Sequence, residues 1–323
     1  RADDHRTAVV GLMAVSSVQT RAAQVGRRGS PRIGGLPAGW AFVLPAVIVL
    51  LALNIFPLVY SILLSFTHVN TSTGLSFGHA TFINWKILWH DQDFWGSLKF
   101  TVIFTVIAVP LEYIFGFGLA LLLRRQIRGG GFFRVLFIIP MLLAPVTIGF
   151  MWRMMYDESN GPIDAVLRGL GLGSPGWLSD NDLAVVSVVI MDIWEWTPLL
   201  FILVLAGMQN IGQEIFDAAR IDGANTVQVV LRIIFPIVAP ISVMAIFLRM
   251  IDCFQVFGQI FLLTGGGPGT ATTSTTLFAF FQGFQTFDLS YGATISLALL
   301  VLVIVVSLLF LMIARRVTKR VET

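Results

Sequence analysis

Apolar residues run through this chain in long blocks, with neither the alternation of a strand nor a heptad. A bilayer-crossing helix takes about 20 mainly apolar residues. Six blocks qualify: Trp40–Phe66, Ser97–Leu123, Val135–Met154, Leu183–Met208, Ile237–Leu263 and Tyr291–Ala314. Each is predicted to be a helix, because a helix satisfies its backbone hydrogen bonds within one segment when no water is present. The stretch Val301–Leu311 is the most uniformly apolar and is expected to face lipid. The expected fold class is therefore all-α, a polytopic membrane protein with six transmembrane helices. Residues 1–39, rich in Arg, Gly and Ser, are expected to be a disordered tail. The six-helix domain covers 40–314, with a polar segment at 209–236, and 315–323 form a second short tail.

Composition agrees. Of the 323 residues, 56% are hydrophobic and 12% charged, against about 45–50% and about 25% in soluble domains. Mean hydropathy is +0.84. The single cysteine, Cys253, excludes a disulfide framework and a cysteine-built metal site. The four histidines lie outside the apolar blocks without ligand spacing, so no metal site is expected.

Charge sets the orientation, because basic residues collect on the cytoplasmic side of spans. With the N-terminus inside, the inner segments hold 16 basic residues and the outer segments 4, with Arg249 inside a span. Both termini are thus expected to be cytoplasmic, and nucleic acid is not an expected partner. Arg1 stands where a methionine would open a chain, and Met13 is a candidate start. The apolar patch Val9–Val15 is too short for a secretory core, so no cleaved signal peptide is expected.

The glycine runs Gly129–Gly131 and Gly265–Gly269 invite a phosphate-binding reading. A P-loop needs a lysine after its last glycine, and none of Lys86, Lys99 and Lys319 follows one. Both runs read instead as turns at membrane boundaries. There is no His-Glu-x-x-His and no Gly-x-Ser-x-Gly. Enzymatic chemistry is therefore not expected of this chain.

The polar segment after the fourth block is more informative. Asn210 with Gln213 resembles a capping-box start, and Gly223 is a natural stop, so a helix of about three turns is predicted between them. Ile211, Ile215, Ala218 and Ala219 share one face by spacing. The two alanines allow another surface close approach, and Glu214, Asp217 and Asp222 place acid around it. Asn225 or Thr226 can cap a second helix that re-enters the membrane near Pro236. Such a peg suits a socket on a cytoplasmic partner, although a plain surface helix fits the same pattern.

This stretch resembles the EAA motif of membrane subunits in bacterial binding-protein-dependent ABC importers. That pattern is Glu-Ala-Ala, three residues, Gly, nine residues, then Ile-x-Leu-Pro. Asp217-Ala218-Ala219, Gly223 and Ile233-Ile234-Phe235-Pro236 match it, with Asp217 for Glu and Phe235 for Leu. Ala218–Ala224 is similar to the carbohydrate-uptake branch, and Leu263–Gly269 to an outer loop of the maltose-transporter type. The resemblance implies a permease subunit of an ATP-driven sugar or polyol importer in the bacterial cell membrane. Segment 209–236 would be its coupling segment, with Glu214, Asp217, Ala218, Ala219, Asp222, Gly223 and Pro236 as ATPase-coupling residues. Implied partners are a second permease subunit, two cytoplasmic ATPase subunits and an extracytoplasmic sugar-binding lipoprotein. ATP and Mg would sit in the ATPase, with no cofactor on this chain.

Ionisable side chains at bilayer depth are costly and face a bundle interior or a watery cavity. Five lie near span midpoints: Glu112, Asp192, Glu195, Arg249 and Asp252. Asp192 and Glu195 share a face flanked by Trp194 and Trp196, and Asp252, Gln255 and Gln259 are expected to form one stripe of the fifth span. Carboxylates and amides can bond sugar hydroxyls, and tryptophan can pack a ring. Asp192, Trp194, Glu195, Asp252, Gln255 and Gln259 are therefore the candidates for the substrate path. The rival role is locking helices together, with Arg249 neutralised by Asp252. A stand-alone secondary transporter or channel is the alternative function. A non-transporting anchor leaves the five buried charges without a purpose.

Overall fold

The computed structural model describes residues 32–33, 36–67, 80–124 and 129–322. Among these, a two-residue ladder, β1 (Arg32–Ile33) with β2 (Leu36–Pro37), is the only departure from helices and their connections. It falls in the segment expected to be a disordered tail; residues 1–31 of that tail lie outside the described residues. By packing, the chain divides into units over Arg1–Tyr60 and Ser61–Thr323, and the division falls within α1 (Ala38–Ser65).

Five helices are long and apolar enough to cross a membrane, or six if one bent pair counts as a span. The regular ones are α1, α3 (Gln92–Leu123), α7 (Asn181–Gln209), α10 (Phe235–Phe254, continuous with α9, Thr226–Val229) and α13 (Leu289–Glu322). Aspartates start two of them. Asp91 accepts from the backbone N–H groups of Asp93 and Phe94, and Asp180 from those of Asp182 and Leu183, so each side chain satisfies N–H groups that lack a helical partner. Val301, Ile304, Val305 and Leu308 of α13 are exposed, as expected of a lipid-facing stretch.

Two expected spans are broken. The block Val135–Met154 is a pair, α4 (Gly130–Leu142) and α5 (Pro145–Met155), bent by 98°. Proline disfavours helical backbone in the residue before it, and Ala144 before Pro145 is extended. The block Ile237–Leu263 stops at Phe254 and resumes as α11 (Gly258–Leu263). Neighbours take up the freed carbonyls: Ser274 Oγ donates to Val256 O at 2.8 Å and Thr276 Oγ1 to Phe254 O at 3.3 Å. Non-helical backbone at membrane depth persists only when protein satisfies it in this way.

Before α10, residues Val230–Ile234 form a wide π turn. Proline's ring clashes with the carbonyl four residues earlier in a regular helix. Pro236 stands two residues after this π turn.

The connections are ordered where described. Residues 155–182 contain α6 (Pro162–Gly169) and the buried Asp164, which accepts from Ser174 Oγ and, at 2.9 Å, from Trp177 Nε1. Of the connection 67–96, residues 68–79 lie outside the described residues, and the rest includes α2 (Ile83–His90). The Gly265–Gly269 run is a turn tied by threonines, with Thr273 Oγ1 donating to Gly266 O at 3.0 Å. α12 (Thr275–Phe280) follows it.

Small residues let the long helices close up. A Cβ at Gly116 of α3 would lie 2.9 Å from Phe201 N and 3.0 Å from Leu200 Cβ of α7. Around this crossing, Ala120, Phe201, Val204 and Leu205 form a buried apolar cluster. Filling a packed contact of this kind costs about 1–3 kcal/mol. Gly116→Val is expected to lower the thermal midpoint of the purified protein in detergent. Gly118→Val, where a Cβ meets nothing within 4 Å, should leave it unchanged. Equal midpoints for the two variants would refute the close crossing.

Candidate functional site

The polar side chains at membrane depth gather on Arg249, which is 1% exposed. Its Nε donates to Glu112 Oε2 at 2.8 Å and its Nη2 to Glu112 Oε1 at 3.0 Å. Nη2 also donates to Asp192 Oδ2, and Nη1 to Asp252 Oδ2, each at 2.5 Å. The guanidinium carbon lies 4.8 Å from the centroid of the Trp196 ring. One cation thus joins α3, α7 and α10. Asp192 Oδ1 is buried and makes no hydrogen bond. Glu112, Asp192 and Cys253 bring ligand-type atoms within 4.8 Å of one another. Arg249 already occupies both carboxylates, so the group is an ion-pair network and not a cation cage.

Beside this network lies a cavity of about 380 Å³, lined by Asp192, Trp196, Asp252, Gln255, Phe257 and Gln259 among others. Glu195 stands behind it, 1% exposed, and both its oxygens accept from Gln259 Nε2 at 3.1 and 3.2 Å. Five of the six expected path residues are therefore brought to one place. They do not form the expected single stripe on the fifth span, because the helix ends before Gln255 and Gln259 belongs to α11.

Trp194 stands apart from them. Its ring packs edge-on against Trp152 at 5.7 Å and lines a separate apolar cavity of about 730 Å³ with Phe115, Pro140 and Pro198. Trp196, two residues on, faces the charges instead. The sequence carries no signal for that choice, which depends on how α7 is rotated against α10. Phe257 was likewise invisible, since it faces the cavity only through the break in the fifth span.

The second candidate surface is α8 (Gln213–Ile221). The helix starts at Gln213 after Gly212, which makes no side-chain cap, so the expected Asn210–Gln213 box does not form. Gln213 Nε2 instead donates to Asp217 Oδ1 at 3.2 Å. The capping box forms at the next helix, between Asn225 and Gln228. Gly223 ends α8 with φ of +74°. Its N–H bonds Arg220 O at 3.1 Å, and that of Ala224 bonds Ala219 O at 2.9 Å; this is the Schellman stop that glycine favours.

The expected face divides in two. Phe216 and Ala219 are buried with Leu123, Met208, Ile211 and Ile234, and the Arg124 guanidinium lies 4.0 Å from the Phe216 ring centroid. Ile215 and Ala218 are exposed with Glu214, Asp217, Ile221 and Asp222. Pro236 sits in the first turn of α10, just past the π turn.

A family model described as a binding-protein-dependent transport system inner membrane component matches residues 112–323. The chain is similar to a probable ABC transporter permease protein, y4oQ, of Sinorhizobium fredii. Identity is 34% over 296 residues, covering 91% of this chain and 95% of that one. It is also 34% identical over 277 residues to the trehalose/maltose transport system permease protein MalF of Thermococcus litoralis, covering 86% and 93%. Its fold superimposes on a chain of a bacterial ABC transporter involved in the import of the acidic polysaccharide alginate. The TM-score is 0.77 at 19% identity, covering 86% and 95%.

The network around Arg249 orders the expected effects of substitution. Removing the cation leaves three carboxylates facing one another, and breaking a buried pair costs about 3–5 kcal/mol. Arg249→Met is expected to abolish recovery of monodisperse protein or to lower its thermal midpoint sharply. Asp252→Asn, on a side chain 52% exposed, should change the midpoint least. The opposite order in detergent unfolding would show that the network does not hold the helices.

Proposed function

The chain belongs to the family of binding-protein-dependent transport system inner membrane components, and from that membership we propose that it is the permease subunit of an ATP-driven sugar or polyol importer. The observation that carries the coupling part of this reading is the exposed stripe of α8. A short helix is anchored from beneath by Phe216 and Ala219 and stopped by Gly223, and it presents Glu214, Ile215, Asp217, Ala218, Ile221 and Asp222 outward. A cleft on an ATPase subunit would receive that stripe.

The parts divide as follows. Residues 40–314 form the six-helix membrane domain, 209–236 the coupling segment, and both chain ends lie on the cytoplasmic side. A second permease subunit completes the path. Two ATPase subunits hold ATP and Mg, since the lysines of this chain leave it without a P-loop. An extracytoplasmic binding protein delivers the solute, and this chain is a transport subunit, not an enzyme. Asp192, Glu195, Asp252, Gln255 and Gln259 form the polar side of the solute path, with Trp196 as its aromatic face and Trp194 in the adjoining wall. The substrate class is supported by the trehalose/maltose permease at 34% identity and by a cavity of two carboxylates, two amides and an indole.

The test is uptake by the complete complex in proteoliposomes, with partner subunits taken from neighbouring genes. Asp217→Arg reverses the charge at the centre of the exposed stripe. It is expected to lower sugar uptake and binding-protein-stimulated ATP hydrolysis by about tenfold or more, about 1.4 kcal/mol in coupling. Gly223→Val, forced to φ of +74°, strains the backbone by about 1–2 kcal/mol and should act in the same direction. Membrane insertion should be retained in both. Normal uptake in both variants, or ion-gradient-driven uptake by the chain alone, would overturn the proposal.

A further inference from the structure

The charges around the cavity do not balance. Among the described residues, Arg249 is the only basic one in its lining. Each of the guanidinium nitrogens already donates to Glu112, Asp192 or Asp252, which uses four of the five N–H groups and leaves a single one, on Nη1, for a solute. On the other side the lining holds two carboxylates, Asp192 and Asp252, with Glu112 and, behind Gln259, Glu195 buried beyond it. Glu195 is held only by a neutral amide, through a single nitrogen shared between its two oxygens. Asp192 is 1% exposed and its Oδ1 makes no hydrogen bond, and the carboxylate of Asp252 is half exposed on the cavity wall. Acceptor capacity exceeds the one N–H that the cation has left. Clefts lined by one sign of charge, with low-dielectric walls, focus the field on whatever enters.

We infer that this wall turns away negatively charged solutes, so that the cargo passing it is uncharged or carries an amine. The inference rests on the reading of the cavity as part of the solute path. An acidic sugar would meet the half-exposed carboxylate of Asp252, with Asp192 buried behind it and one Nη1 N–H to offset them. A neutral sugar would offer hydroxyl donors to the same oxygens, and an amino sugar would add a charge-assisted bond. Asp252 is the specificity-determining residue, since it faces the cavity directly.

The field can be read without knowing the cargo. Gln255→Cys puts a thiol on the cavity wall of the full complex, and the buried Cys253 makes the unsubstituted complex the blank. The probes are a trimethylammonium-ethyl and a sulfonato-ethyl methanethiosulfonate of similar size at low salt. Their rate ratio is divided by the ratio measured with free mercaptoethanol. A preference for the cationic reagent of about tenfold is expected. Adding Asp252→Asn should reduce it severalfold, and Leu172→Cys on an exposed connection should give the free-thiol ratio. Val146→Cys, on the same wall, repeats the measurement if Gln255→Cys does not assemble.

A normalised ratio of one or below at the cavity, or a thiol there that neither reagent reaches, overturns the inference. Failure of the complex to take up any sugar would count against the path reading and leave the thiol ratio standing.

Discussion

A guanidinium buried among hydrocarbon side chains has to be surrounded by acceptors, and the positions of the long helices follow from that requirement. Arg249 needs Glu112 from α3, Asp192 from α7 and Asp252 from its own helix. Bringing two charges out of water costs several kcal/mol per ion before any attraction is counted. The network is therefore weak evidence for stability and strong evidence for arrangement. A rotation of α7 by one residue, about 100°, would carry Asp192 off the guanidinium and expose an unpaired charge to lipid.

The same constraint explains why two spans are broken instead of straight. A continuous fifth helix would place Asp252, Gln255 and Gln259 on one face, with every backbone group satisfied internally and no room between them. Ending it at Phe254 opens the wall at Gln255–Phe257 and lets Gln259 reach back to Glu195 from α11. α11 in turn lies on α5, where a Cβ at Gly149 would sit 2.6 Å from Gln259 O. The bend before Pro145 and the break after Phe254 thus meet at the cavity, which both Pro145 and Phe257 line. Irregular backbone at membrane depth is tolerated where it lines such a space.

Much of this could be read from residue order and some could not. Block length and hydropathy located the five long apolar helices and, at Val135–Met154, the bent pair, because a backbone in lipid must bond within its own segment. Gly223 announced the stop of α8, because a left-handed residue is required there and few residues accept it. The breaks were hidden because hydropathy does not register geometry: Ala144 and Gln255–Phe257 lie inside stretches whose mean apolarity is undisturbed. The helix cap was misplaced by local degeneracy. Asn210-x-x-Gln213 and Asn225-x-x-Gln228 are equivalent patterns, and only the second has its side chains and backbone in register. The choice of Trp196 over Trp194 needed the rotation of α7, which the charges set and the sequence alone does not state.

What joins the exposed helix to the buried charges is stiffness. α8 follows α7 by three residues and precedes α9 and α10, so it is the turn between two arms. Asp192 lies 17 residues up the first arm from Gln209, about 26 Å along the axis, and Arg249 lies 14 residues up the second from Phe235, about 21 Å. The arms are held together near α8 by a close approach, where a Cβ at Gly207 would meet Ile241 Cγ2 at 2.8 Å. Farther up they are held by the Asp192–Arg249 pair. Two rods fixed to each other at both ends cannot slide independently. A displacement imposed on α8 would therefore be carried to the cavity by α7 and α10 together, and by α3, which packs on α7 at Gly116 and whose Glu112 closes the far side of the guanidinium.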